Sequence, residues 1–150
     1  MTPVAGAVVR AWIDGACRGN PGEAGFGVVV ETAGDTAEIG GFLGRTTNNV
    51  AEYAGLVAAL TYAARQKVRE LELFSDSQLL VQQVTGAYRV KAPHLVPIFL
   101  KVLELRRAIP RFRIRHVPRA ENRRADALAN RAIDERLPLP DWLELELPAG

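Results

Sequence analysis

A chain of 150 residues with 48% hydrophobic and 24% charged side chains has the make-up of one folded, globular domain with a sizeable core. Its single cysteine, Cys17, excludes an internal disulfide or a thiolate metal cage. A net charge of +2 announces no global basic field, yet residues 101–136 carry eleven basic against five acidic side chains, and arginine outnumbers lysine sixteen to three. Arginine's fork suits phosphate, and it suits surface ion pairs equally well, so composition alone leaves both open. No apolar run approaches the length of a membrane span, and Met1-Thr2-Pro3 begins nothing like a signal peptide. A cytoplasmic protein is expected.

Residues 8–14 are β-branched and aromatic and predict a strand ending at Asp14. Residues 14–22 hold three glycines and a proline, which predicts a turn-rich loop. Further strands are expected over 26–31 and 38–43, turning at Gly34-Asp35; links this short make the first three strands antiparallel neighbours. Over 49–65 the apolar residues Tyr53, Leu56, Val57, Leu60 and Ala64 recur at helical spacing, an amphipathic helix. A strand over 70–75 runs into Asp76, and a short helix over 77–85 is ended by Gly86. A helix over 93–108, a strand over 111–117 with arginines on one face, and a last helix over 121–135 follow. The order is β-β-β-α-β-α-α-β-α, which makes an α/β fold with a five-stranded mixed sheet flanked by helices. The domain is expected to occupy residues 1–136. The Pro-rich remainder, 137–150, reads as an extra edge strand, a tail laid on the surface, or the start of a linker.

Four carboxylates sit in unusual contexts. Each has a local explanation: Asp14 as a turn former, Glu52 as half of a capping box with Asn49, Asp76 as an N-cap, Asp126 as a solvated helix residue. Together they say more. Asp14 and Asp76 end strands, Glu52 lies a turn inside a helix, and Asp126 lies in the first turns of another, so all four can meet at one sheet edge. Acids so gathered repel unless cations hold them, and carboxylate oxygens select Mg²⁺ or Mn²⁺ over Zn²⁺. Two such ions about 3.5–4 Å apart are the machinery of phosphodiester displacement.

The blocks Asp14-Gly-Ala-Cys-Arg-Gly-Asn-Pro-Gly, Thr46-Thr-Asn-Asn-Val-Ala-Glu52, Ser75-Asp76-Ser77-Gln78 and Glu121-Asn122-Arg-Arg-Ala-Asp126-Ala-Leu-Ala resemble the type 1 ribonuclease H family, in family order and over about residues 8–133. The resemblance implies a ribonuclease H-like fold and an endonuclease that cuts the RNA strand of RNA–DNA hybrids with two Mg²⁺ ions, Mn²⁺ being a substitute. It implies 5′-phosphate and 3′-hydroxyl products. Asp14 would be shared by both ions, Asp126 would complete one, and Glu52 and Asp76 would hold the other, with Glu52 near a ribose 2′-OH. Asn20, Asn48, Asn49 and Gln78 match positions that touch the hybrid backbone and minor groove, and Thr47 matches a phosphate contact on the DNA strand. A monomer without membrane association is expected.

Two departures from the family pattern qualify this. Only residues 87–92 separate Gly86 from Pro93, too few for the basic helical protrusion that many bacterial members carry. Hybrid binding must then lean on other cations, for which Arg89, Lys91, Arg119, Arg123 and Arg124 are candidates, and double-stranded RNA becomes a conceivable second substrate. The family's loop histidine has its nearest counterpart in His116. Since His116 shares a strand face with Phe112 and Ile114, it is either a catalytic auxiliary or a partly buried strand residue, and the shortened loop leaves Arg119 as the nearest cation. A non-catalytic nucleic-acid binding module on the same fold is the remaining alternative.

Overall fold

The computed structural model describes residues 8–148. Five strands form one sheet: β1 (Val8–Gly19), β2 (Gly22–Thr32), β3 (Asp35–Thr46), β4 (Glu70–Ser75) and β5 (Arg111–His116), in the order β3-β2-β1-β4-β5. The β1–β2 and β2–β3 pairs are antiparallel, while β1–β4 and β4–β5 are parallel. Four helices flank the sheet: α1 (Asn48–Arg65), α2 (Gln78–Thr85), α3 (Val96–Arg106) and α4 (Arg123–Asp134). The predicted element order is therefore the observed one.

The largest correction concerns residues 14–22. The expected loop is instead the end of a long hairpin: β1 continues to Gly19, β2 starts at Gly22, and pairing runs unbroken from Arg10↔Glu31 to Gly19↔Gly22. Glycine-rich sequence argues against a strand on propensity, but ladder hydrogen bonds and packing override that preference. β2 and β3 are also longer than predicted, since polar flanks such as Arg45 and Thr46 still pair with β2, whereas β4 keeps its expected bounds and β5 ends one residue early, at His116. The helix expected over 93–108 is split into a one-turn 3₁₀ helix, Pro93–Leu95, and α3. Likewise α4 begins only at Arg123, after a 3₁₀ turn at Arg119–Glu121.

Helix α1 organises the core. Its predicted apolar stripe packs on β1 and β2, and α3 covers its other side, so every residue from Val50 to Leu60 is buried. A helix enclosed on both sides is apolar nearly all round, which this one is. Leu56 and Leu60 are fully buried, each contributing about 1.5–3 kcal/mol through removal from water. Across the sheet, α4 packs on β2, β1 and β3. Being covered on both faces, β2 is buried without interruption from Ala24 to Val30.

The predicted basic face of β5 is partly paired off. Arg111 meets Glu70 at 3.6 Å and Arg115 meets Glu72 at 3.5 Å across the β4–β5 ladder. Beyond α4, Leu137 accepts a 2.8 Å hydrogen bond from the Phe42 amide on edge strand β3. No strand grows from it, because Pro138 and Pro140 have no N–H to continue a ladder. Trp142, Leu143, Leu145 and Leu147 instead pack against the core, with Trp142 tilted over Tyr62 at 6.1 Å between ring centroids. The residues of the tail beyond Pro148 lie outside the described part of the chain. Among the described residues no helix is long and apolar enough to cross a membrane.

Candidate active site

The parallel β1–β4 ladder pairs Ile13 with Ser75, so Asp14 and Asp76 follow side by side at the same sheet edge. Helix α1 brings the third acid. Its N-cap is Thr47, whose Oγ1 accepts from the Val50 amide at 3.2 Å, not the Asn49–Glu52 box considered from sequence. That start places Glu52 one turn inside the helix, facing β1. The approach is close because residue 15 is glycine: a Cβ there would sit 2.5 Å from the Ala51 carbonyl carbon and nearer still to the Glu52 amide. Similarly, Ser77 rather than Asp76 caps α2, accepting from the Leu80 amide at 3.2 Å, which frees the Asp76 carboxylate from any capping role.

Asp14, Glu52 and Asp76 converge so that one carboxylate oxygen from each lies within 4.8 Å of the others. Asp14 and Glu52 are buried, at 7% and 8% exposure, and Asp76 is half-buried. Asp126 reaches the group from the opposite layer. It lies on α4, and it is outside the three-way cluster but close enough to act on Asp14 through a hydrogen bond and its charge.

The electrostatics follow from burial and crowding. Asp14 is pushed up to about 9, by desolvation first, then by the charge of Asp76, a hydrogen bond with Asp126, and the charges of Asp126 and Glu52. Burial likewise raises Glu52 to about 7; a hydrogen bond from Ser77 opposes this and the Asp76 charge adds to it. Below Glu52, the Tyr53 hydroxyl donates to Gln83 Oε1 at 2.6 Å, and burial holds that phenol well above its ordinary range. Three buried or half-buried acids with no basic partner in their cluster are a poor arrangement for an empty site. Their oxygens are a good one for a hard divalent cation such as Mg²⁺ or Mn²⁺.

The substrate-contact candidates line the same edge. Asn20 lies at the β1–β2 turn, and its Oδ1 accepts from the Asn48 amide at 3.1 Å, joining the hairpin tip to the start of α1. Thr47, Asn48 and Asn49 therefore sit together with Asn20, and Gln78 is exposed at the first residue of α2. His116 ends β5 opposite Ser75, one step from Asp76, and is exposed rather than partly buried, because the strand ends there and nothing covers its last residue. Arg119 and Arg123 are exposed and outside every ion pair among the described residues, whereas Arg124 is bound to Glu38 at 3.2 Å. Residues 87–92 form no helix, and Arg89 and Lys91 are exposed there.

Sequence reasoning did not single out three residues that build the site. Gly15 admits α1. Asn122, at 1% exposure, donates through Nδ2 to the Ile13 carbonyl at 2.8 Å. Asn130 donates to Asp126 through Nδ2, at 3.0 Å to the carbonyl and 3.4 Å to Oδ1. The signal for the last two was the four-residue spacing Asn122, Asp126, Asn130, which aligns them on one helix face.

A mixed sheet in this order, with acids gathered where β1, β4 and α1 meet and a fourth arriving on α4, defines a ribonuclease H-like protein. The comparisons agree. The Reverse transcriptase-like family model matches residues 12–132. A ribonuclease HI of Halobacterium salinarum is 47% identical over 90% of this chain and 69% of its own length. The crystal structure of LC11-RNase H1 in complex with an RNA/DNA hybrid superposes with a TM-score of 0.78 at 40% identity, covering 85% of this chain and 97% of that one. A bifunctional protein of Mycobacterium tuberculosis is 44% identical over 81% of this chain, which spans only 34% of that relative. The chain belongs to the type 1 ribonuclease H family and is a ribonuclease H.

Proposed function

We propose that this enzyme is an endonuclease that cuts the RNA strand of RNA–DNA hybrids without sequence preference, leaving 5′-phosphate and 3′-hydroxyl ends. The observation that carries this is the convergence of Asp14, Glu52 and Asp76 within 4.8 Å, with Asp126 beside Asp14. The hybrid bound to LC11-RNase H1 supports the substrate class.

Asp14 would be shared by two divalent cations, with Asp126 completing one and Glu52 and Asp76 the other. When bound, such ions supply Lewis acidity at the scissile phosphate and a water made more acidic. The chain's own residues supply the rest. Asp14 and Glu52 would release their protons to solvent as a cation binds, since burial keeps their proton affinity high until a positive charge arrives. Glu52 would also lie near a ribose 2′-OH, the group that distinguishes RNA from DNA. Asn20, Asn48, Asn49 and Gln78 would contact the hybrid backbone and minor groove, and Thr47, whose hydroxyl caps α1, would meet a phosphate of the DNA strand; the Asn20–Asn48 hydrogen bond, which holds the hairpin tip to the α1 start, supports this. Arg119, exposed and outside every ion pair among the described residues, would add a cation for the backbone, and the exposed His116, whose strand partner Ser75 precedes Asp76, would assist as a catalytic auxiliary.

A second reading has one specific observation in its favour. The six-residue connection 87–92 contains no helical protrusion to grip the hybrid, which supports double-stranded RNA as a second substrate. The non-catalytic alternative fits poorly with four acids in place.

The deciding experiment measures cleavage of hybrid, double-stranded RNA and DNA duplexes side by side, with Mg²⁺, with Mn²⁺ and with chelator. Hybrid cleavage abolished by chelator and by Asp14→Asn is expected. Hybrid binding with no turnover under either metal would overturn the enzyme mechanism, and turnover surviving Asp14→Asn would overturn the site assignment.

A further inference from the structure

The carboxylate of Asp126 is held from behind. Asn130, one turn further along α4 and half-buried, donates its Nδ2 to Asp126 at 3.0 Å on the carbonyl and 3.4 Å on Oδ1. The other end of that amide is occupied: Arg18 Nη2 donates to Asn130 Oδ1 at 3.0 Å and to its carbonyl at 3.5 Å, while Arg18 Nη1 pairs with Asp134 at 2.9 Å. Arg18 lies on β1, four residues beyond Asp14.

The polarity of this chain has a chemical consequence. A guanidinium carries donors only, so it accepts one orientation of the Asn130 amide, with Oδ1 facing Arg18. That orientation turns the amide nitrogen toward Asp126. The flipped rotamer would set a nitrogen against the guanidinium and an oxygen against a carboxylate, two repulsions at once. Arg18 and the Asp126 carbonyl together therefore fix which way Asn130 points, and that orientation brings Nδ2 within 3.4 Å of Asp126 Oδ1. Because Arg18 and Asp14 share a strand, the same contact ties the placement of Asp126 to that of Asp14.

We propose that Asn130, oriented by Arg18, is a positioning residue for the Asp126 carboxylate, setting its geometry toward the cation that Asp126 and Asp14 would share. The proposal rests on the metal reading given above, and it assigns a role to Asn130, one residue beyond the last of the four acidic blocks, and to Arg18, which lies within the first block without being one of its acids. Hydrogen bonds behind a metal-ligating carboxylate typically govern affinity or activity by about 10- to 100-fold when removed. Partial exposure of Arg18 places this case at the low end.

The test uses Asn130→Ala, Asn130→Asp, Arg18→Met and the Asn130→Ala/Arg18→Met double variant of the full chain. Three quantities are read: Mn²⁺ binding to the protein alone by calorimetry, kcat and KM on a hybrid, and the thermal midpoint. For Asn130→Ala we expect cation affinity and kcat each to fall about 10-fold, with hybrid KM changed by less than roughly two-fold. Alanine favours a helix, so the thermal midpoint should hold. Asn130→Asp should do worse, since it sets a second carboxylate against Asp126. Arg18→Met should show a smaller loss of the same kind, and the double variant no more loss than Asn130→Ala alone, because the two residues act in series. Unchanged Mn²⁺ binding and kcat in Asn130→Ala, a loss confined to KM, or full additivity in the double variant would each overturn the proposal. Absence of Mn²⁺ binding by the unsubstituted protein would instead sink the metal reading of the site, and this role with it.

Discussion

The side-chain amide of Asn122 donates a 2.8 Å hydrogen bond to the carbonyl of Ile13, the residue immediately before Asp14. The same asparagine's backbone carbonyl accepts from the Asp126 amide at 3.1 Å. One buried side chain thus fastens the helix that carries one acid to the strand that carries another, although 112 positions separate the two acids in sequence. Its Oδ1 is the one buried side-chain polar atom without a partner among the described residues.

Substituting Asn122 by alanine should cost stability. It removes a buried hydrogen bond to the Ile13 carbonyl, worth about 0.5–1.5 kcal/mol, and the unpartnered Oδ1 it also removes offsets only part of that. Asn122→Asp should be worse, because it buries a carboxylate against a carbonyl with no donor nearby. Urea unfolding of both variants checks the order; a more stable aspartate variant would contradict it.

Without metal, the protein should lose stability as pH rises. Asp14 and Glu52 both have folded values above their unfolded ones, about 9 against 3.8 and about 7 against 4.5. The folded state therefore binds more protons than the unfolded state throughout those intervals. The stabilising contribution is complete below the unfolded values and is lost as pH climbs, for Glu52 between pH 4.5 and about 7 and for Asp14 up to about pH 9. For Glu52 alone the loss is on the order of 3 kcal/mol, or roughly 10 °C in thermal midpoint for a chain this size. Thermal scans in chelator from pH 5 to pH 9 should show the decline, and millimolar Mg²⁺ should flatten it.

Asp14→Asn separates stability from activity. The amide imitates the protonated acid, so the metal-free variant should be more stable than the parent at pH 8 to 9 and show a shallower decline with pH. Hybrid cleavage should fall by roughly 10³-fold or more, as expected when a shared cation ligand is removed. A variant that is both less stable at pH 9 and still active would contradict the placement of Asp14 at the centre of the acidic group.

Gly15→Ala should disturb the site through packing alone. The added methyl meets the α1 backbone at Ala51 and Glu52, which cannot rotate away as a side chain would. Overpacking of this kind costs about 1–3 kcal/mol or more. Because the displaced residue is Glu52 itself, cleavage should fall even at temperatures where the variant remains folded. Circular dichroism for folding and hybrid turnover at low temperature test the two effects separately.

Much of this molecule was legible in its residues. Period-two and helical spacing carried the element order, because burial on one face of a strand or helix is written directly in the pattern of apolar positions. The four acids stood out because each follows or opens an element, where side chains gather at a sheet edge. Other features had no local signal. Residues 14–22 looked like a loop by propensity, yet pairing with β2 makes most of them strand, since ladder partners lie outside any short window of sequence. Whether an arginine serves a phosphate or an ion pair depends on its cross-strand neighbour: Arg111 and Arg115 meet glutamates of β4, while Arg119 stays free among the described residues. The proton affinities of Asp14 and Glu52 depend on burial and on one another. The asparagines that hold α4 to β1 act on residues more than 100 positions away. Sequence by itself determined which groups could do the chemistry; only the tertiary structure decided their distances, their protons and what holds them in place, because those are properties of neighbours in space.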